Sequence, residues 1–241
     1  MGRAVGDRAS AMGNDVVSAA RRKHSPAGGH AVRLDVRDEA SVARGVAAAV
    51  EVLGGLDAVV YTAGTAHLGR IVDHDVDRWR DVLETNVVGV ALVAAAVAPH
   101  LAHERGVLLV LSSTIDERER WGLETYGVSK AALNRLVVGL RGEHPDVRFV
   151  RATIGNTAGT EFGGNFTDGD LLREAMARWV VSGQHTKAQM PLDGVADVIV
   201  GLLALLHAHP DVDVPKLNLE PPGGLLTMPP DEQAFRQFFS G

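Results

Sequence analysis

The sequence predicts one α/β domain, a doubly wound parallel sheet with helices on both faces. Short β-rich runs alternate with longer stretches whose apolar residues recur at helical spacing, the order expected of strand–helix–strand units. The 241 residues fit one large domain or two small ones, and the lack of an internal repeat or a domain-like linker selects one. Hydrophobic residues at 46% and charged residues at 22% supply a buried core without a biased tail.

In chain order, strands are expected at residues 15–19, 31–34, 57–61, 107–111, 147–152 and 217–219. Helices are expected at 39–53, 76–83, 87–103, 126–144, 170–181 and 195–207. Asp170 and Asp193 are candidate helix caps, and Pro210 is a stop after the last long helix. Segments 155–168 and 220–230, rich in Gly, Thr and Pro, read as loops. Nearly every residue from 87 to 98 is apolar, so more than one face of that helix must be buried. A crowded core helix and a helix that also packs on a partner subunit both satisfy this.

A formal net charge of -6 argues against nucleic acid or anionic lipid as the partner, because phosphate binding needs clustered positive charge. A small molecule is the expected partner. With no cysteine, disulfides, thiolate zinc sites and thiol catalysis are excluded. The longest apolar run, 87–99, falls short of the ~20 residues of a membrane span, and the first residues lack the apolar core of a secretory signal. The expectation is a soluble, cytoplasmic protein. The ten histidines include His207 and His209 at a helix end, without a third ligand at a familiar spacing, so no metal site is expected.

The strongest chemical signal is Tyr126-Gly127-Val128-Ser129-Lys130. Residues four apart share a helix face, so the Tyr126 hydroxyl and the Lys130 ammonium can reach one space. A phenol ionises near ~10, too high for acid–base work near neutrality, and a nearby cation lowers that value. Ser112-Ser113 ends the strand at 107–111, at the carboxyl end of a parallel strand where open α/β sheets place their ligands. Upstream stand Leu34-Asp35-Val36-Arg37-Asp38, the strand 57–61 leading into Thr62-Ala63-Gly64, and Thr85-Asn86-Val87-Val88-Gly89. Taken singly, each has a plainer role: Ser113 can end a strand, Asn86 can cap a helix, Tyr126 can pack in the core. Trp121, between Ser113 and Tyr126, suits the substrate entrance and a packing role equally.

In that order and on those elements, these segments resemble the short-chain dehydrogenase/reductase family over about residues 2 to 220. The resemblance implies a Rossmann-type fold and an oxidoreductase that moves a hydride between a nicotinamide cofactor and a carbonyl/alcohol substrate. It makes Tyr126 the general acid/base and has Ser113 hydrogen-bond the substrate oxygen. Lys130 lowers the Tyr126 pKa and holds the nicotinamide ribose, and Asn86 supports a water-linked proton relay. It places the cofactor against Asp35, Val36, Thr62, Ala63, Gly64, Gly155 and Thr157, and implies a homodimer or homotetramer. Where NAD-binding members carry an acidic residue after the second strand, this sequence has Ala20 followed by Arg21 and Arg22, which favours NADP, with NAD the other possibility.

The sequence departs from the family at its start. Members begin with a strand and Thr-Gly-x3-Gly-x-Gly, whose glycines let the backbone approach the pyrophosphate. Here Gly2 matches the last glycine, followed directly by the helix. The expectation is that the first, central strand and about a dozen residues are missing, with Met1 an internal methionine of a longer protein. Tyr61-Thr62 replaces Asn-Asn, and Ile154-Gly155 replaces Pro-Gly with the turn glycine kept. The alternative function is a non-catalytic module for binding or dimerisation that has lost its cofactor loop.

Overall fold

Asp38 opens the first long helix of the computed structural model, which describes residues 1–21, 29–116, 118–184 and 188–223. Its carboxylate accepts hydrogen bonds from the Ala40 and Ser41 amides at 3.0 and 3.2 Å, capping α2 (Glu39–Leu53). Gly54, at φ 75°, closes that helix in the left-handed conformation glycine tolerates. α1 (Gly2–Ala11) precedes two short strands, β1 (Val17–Ala20) and β2 (His30–Arg33). After α2 come β3 (Ala58–Tyr61), α3 (Val76–Leu83), α4 (Gly89–Leu101) and β4 (Val107–Ser113). The chain continues through α5 (Glu124–Glu143), β5 (Arg148–Ile154), α6 (Gly169–Val181), α7 (Leu192–Ala208) and β6 (Lys216–Leu219).

All pairings are parallel, but the strands form two sheets, β1-β2 and β3-β4-β5-β6. The division falls between β1 and β3, where the resemblance puts the central strand this sequence lacks. Among the described residues, helices rather than ladder bonds join the two sheets. On one face Leu34, Val42 and Val46 share a core with Tyr61, Val90, Val97, Leu108, Val110 and Phe149. On the other, Val5 of α1 packs with Leu109, Val150, Val195 and Ile199. Side chains of β4 alternate between these cores, as a strand covered on both faces requires.

Helix 87–103 of the sequence reading begins earlier than expected. Glu84–Val88 form a π-helical turn that joins α3 to α4 without a break. The resulting helix, Val76–Leu101, has a mean hydropathy of 1.8 over an 18-residue window, long and apolar enough by composition to cross a membrane. Val90, Val93, Val97 and Leu101 are packed in the core, which accounts for that hydropathy. The caps also differ from expectation. Asp168, not Asp170, accepts the first amides of α6, and Pro191 stands at the N-cap of α7 with Asp193 inside its first turn. Buried Arg148, at the start of β5, donates to the carbonyls of Arg105 at 2.6 Å and Leu206 at 2.7 Å. It thereby ties the start of β4 to the end of α7, where a cation suits the helix dipole.

Candidate active site

β4 and α5 bring the chemistry-bearing residues together at the carboxyl end of the four-stranded sheet. Ser112 and Ser113 end β4 beside Thr153 and Ile154 of β5. Tyr126 and Lys130 lie one turn apart on α5, both buried, with the Lys130 Nζ 5.4 Å from the Tyr126 ring centre. Burial pushes the Tyr126 hydroxyl well above its ordinary range, opposed by hydrogen bonding with Ser113 and then by the Arg120 guanidinium. Burial also lowers Lys130, to about 8, against the attraction of Asp116. Its Nζ donates to the Leu111 carbonyl at 2.8 Å. The charge of Arg120, which sequence reasoning missed, also acts on the Tyr126 hydroxyl.

Asn86 sits in the π turn, fully buried. Its Nδ2 donates to the Thr65 carbonyl and the Ser129 hydroxyl, each at 2.9 Å, and its Oδ1 accepts from the Thr65 amide at 2.9 Å. Ser129 in turn donates to the Tyr126 carbonyl at 2.7 Å. These bonds make the side chain a brace that fixes the start of α5.

A second buried network lies beneath the pair. Ser112 Oγ donates to Asn134 Oδ1 at 2.8 Å, Asn134 Nδ2 donates to Asp116, and Arg151 stands 3.7 Å from the same carboxylate. Arg151 was the visible sign of it, a charge in the middle of an apolar strand that needs a buried partner.

On the nucleotide side, Gly2 at the start of α1 faces Thr62, and a Cβ there would stand 2.5 Å from Thr62 Oγ1. Only glycine permits that approach. Ala63 packs against the core, and Gly64 lies beside Asn86 Oδ1. Asp35 Oδ1 accepts from the Arg37 amide at 3.1 Å, which holds its carboxyl below the usual range, and Arg21 lies within charge range of it. Val36 packs on Gly89, where a Cβ would stand 3.1 Å from its side chain. Arg22 lies outside the described residues. The Gly155 amide donates to the Leu219 carbonyl at 2.8 Å, and Thr157 Oγ1 turns back to the Gly155 carbonyl at 3.0 Å. Trp121 takes the packing role, with Arg178 over its ring at 4.6 Å and its carbonyl accepting from Trp179 Nε1 at 2.9 Å. His207 is exposed, 4.0 Å from Asp57.

The family model described as Enoyl-(Acyl carrier protein) reductase matches residues 2–144, more than half of the chain. The chain belongs to the short-chain dehydrogenase/reductase family. Among curated proteins it is 34% identical over 132 residues to 2,5-dichloro-2,5-cyclohexadiene-1,4-diol dehydrogenase LinX of Sphingobium indicum, covering 54% of this chain and 51% of that protein. It is 28% identical over 153 residues to meso-2,3-butanediol dehydrogenase of Serratia marcescens, covering 60% and 61%. The matches thus span between half and three fifths of these relatives. An alcohol dehydrogenase of Thermococcus sibiricus, solved with 5-hydroxy-NADP, superposes with a TM-score of 0.74 at 23% identity, covering 91% of this chain and 93% of that one. A serine dehydrogenase solved with NADP+ gives 0.76 at 22% identity over 90% and 89%. At such identities the likeness concerns the fold, and it holds although the sheet is divided in two.

Proposed function

We propose that the chain is an NAD(P)-dependent oxidoreductase of its family, acting on a carbonyl/alcohol pair with Tyr126 as general acid/base and NADP as the preferred nucleotide. The observation that carries this reading is the buried Tyr126–Lys130 pair on one face of α5, beside Ser113 at the end of β4. A bound nicotinamide supplies or takes the hydride. The chain's own part is the proton and its environment. Tyr126 gives its proton to the oxygen of a carbonyl substrate, or receives it from an alcohol, while Ser113 hydrogen-bonds the phenol oxygen. The charge of Arg120 favours the phenolate formed when the proton leaves.

The residues present fit the two ends of such a nucleotide. Gly2 keeps the surface beside Thr62 open for close backbone approach, and Arg21 near Asp35 supplies positive charge for a 2′-phosphate. Lys130 would hold the nicotinamide ribose. The NADP complexes of two structural neighbours support the preference. Between the ends, the start of α1 is the element available to the pyrophosphate.

Replacing Tyr126 by Phe is expected to lower turnover at least ~100-fold and leave NADPH binding unchanged, read by nucleotide fluorescence. Equal activity would overturn the assignment. The divided sheet favours a second reading, a binding or dimerisation module without catalysis. That reading stands if neither this chain nor an upstream-extended version binds NADPH. The same proposal makes the protein a cytoplasmic homodimer or homotetramer. Exposed Val88, Val128 and Val138, on the π turn and α5, supply apolar surface for the contact, and light scattering measures the mass.

A further inference from the structure

The loop between Ser113 and Tyr126 carries Arg120, whose backbone amide donates to Glu124 Oε1 at 2.7 Å. The Arg120 guanidinium is mostly buried, and burial pulls its pKa below the ordinary value. Its Nη2 donates to the Gln184 carbonyl at 2.9 Å, and its head group lies 5.2 Å from the centre of the Trp179 ring. Among the described residues no carboxylate stands within ion-pair distance of it. Taking a guanidinium out of water costs several kcal/mol unless an opposite charge or full hydrogen bonding compensates. One neutral carbonyl and one aromatic face do not supply that.

The cavity beside Arg120 is lined by Thr114 and Ile115, which follow Ser113, and by Gly155, Asn156 and Gln184. Gln184 Oε1 is buried there with no hydrogen-bond partner among the described residues, an acceptor that offers nothing to an anion and leaves the Arg120 guanidinium as the donor of this space. Of the other charges on its rim, Arg118 stands 3.8 Å from Glu220 across the surface, and Glu119 is exposed. Thr114 and Ile115 place this cavity directly after Ser113 in the chain, and the charge of Arg120 acts on the Tyr126 hydroxyl through space.

We propose that Arg120 binds the carboxylate of the substrate, and that the substrates are oxo acids and the corresponding hydroxy acids rather than neutral ketones and alcohols. A planar guanidinium matches a carboxylate with paired hydrogen bonds, which a lysine cannot reproduce. The substrate class deepens the oxidoreductase reading and rests on it, but the carboxylate site itself does not require turnover.

The flanking Trp179 makes the site readable without catalysis. The 241-residue chain is titrated with lactate and with 3-hydroxybutyrate, each compared with its methyl ester, following tryptophan fluorescence. A saturable change with an acid and none with its ester is expected, abolished in Arg120→Gln and retained about tenfold weaker in Arg120→Lys. Tyr126→Phe keeps the response, so its loss of turnover tests the reaction separately. In a parallel assay with NADPH, pyruvate and acetoacetate are expected to exceed their methyl esters at least tenfold in kcat/KM, a preference Arg120→Gln erases. The proposal is overturned if acids and esters respond alike, if neither binds, or if the acid response survives in Arg120→Gln. An unchanged far-ultraviolet spectrum separates a lost site from a lost fold, and Arg120→Lys decides where Arg120→Gln fails to fold.

Discussion

β4 and β5 each run seven residues and are buried along nearly their whole length, whereas β1 and β2 run four residues each with half of them exposed. The difference follows from pairing. β4 and β5 have a strand on each side and a helix layer on each face, while β1 pairs with β2 alone. Ser113, Tyr126 and Lys130 stand on the first kind of ground, and Arg21, Asp35 and Val36 on the second. The two kinds of ground still share a core, in which Leu34, Val42 and Val46 pack with Tyr61, Val90, Leu108 and Phe149.

The largest expected consequence is in local opening. Amides of β4 and β5 should exchange with solvent roughly a thousandfold more slowly than those of β1 and β2, about 4 kcal/mol of opening free energy, measured by hydrogen exchange. Equal protection would mean that the two sheets unfold as one unit. Next comes a pair of truncations. Phe149→Ala in β5 removes a fully buried ring and should cost about 3–5 kcal/mol. Val32→Ala in β2, at a partly exposed position, should cost about 1 kcal/mol or less in the same denaturant titration.

The smallest effect sharpens the comparison inside the buried half. Burial lowers Lys130 to about 8 from an ordinary value near 10.5, so between those values the unfolded chain binds more protons than the folded one. Stability from this group therefore rises as pH increases from about 8 to 10.5, and at neutral pH its charge is a burden on the fold. Lys130→Met should raise the melting temperature at pH 7, by roughly 2–4 °C for each kcal/mol of desolvation relieved, with the gain shrinking toward pH 10.5. A lower melting temperature would instead show that the Leu111 hydrogen bond and Asp116 outweigh the burial.

Much of the fold could be read from the sequence because its signals are local. The helices at 39–53 and 76–83 match residue for residue, since Asp38, Gly54 and Asp75 mark their ends in the chain itself. The alternation of strands and helices was equally plain. The strand 107–111 came out two residues short, because Ser112 and Ser113 look like a polar exit while ladder bonds to Thr153 and Ile154 keep them in the sheet. The site was legible as far as the Tyr126–Lys130 spacing and Ser113. Asp116, Asn134 and Arg120 were not, because nothing in a row of Asp, Glu and Arg residues tells which of them the fold will bury. Asn86 was found, but its three hydrogen bonds were not, since they depend on where Thr65 and Ser129 come to rest.

The π turn at Glu84–Val88 bears on how this chain can change its length. Such a turn holds one residue more than an α-helical path would, absorbed in a wider winding. Deleting one residue there would restore regular winding and leave α3 and Val82 seated in phase with α4, but it would draw Asn86 away from Thr65 and Ser129. Substitutions on the exposed side of this junction are cheap, but a single-residue deletion is not, so gaps in descendants of this sequence should fall elsewhere.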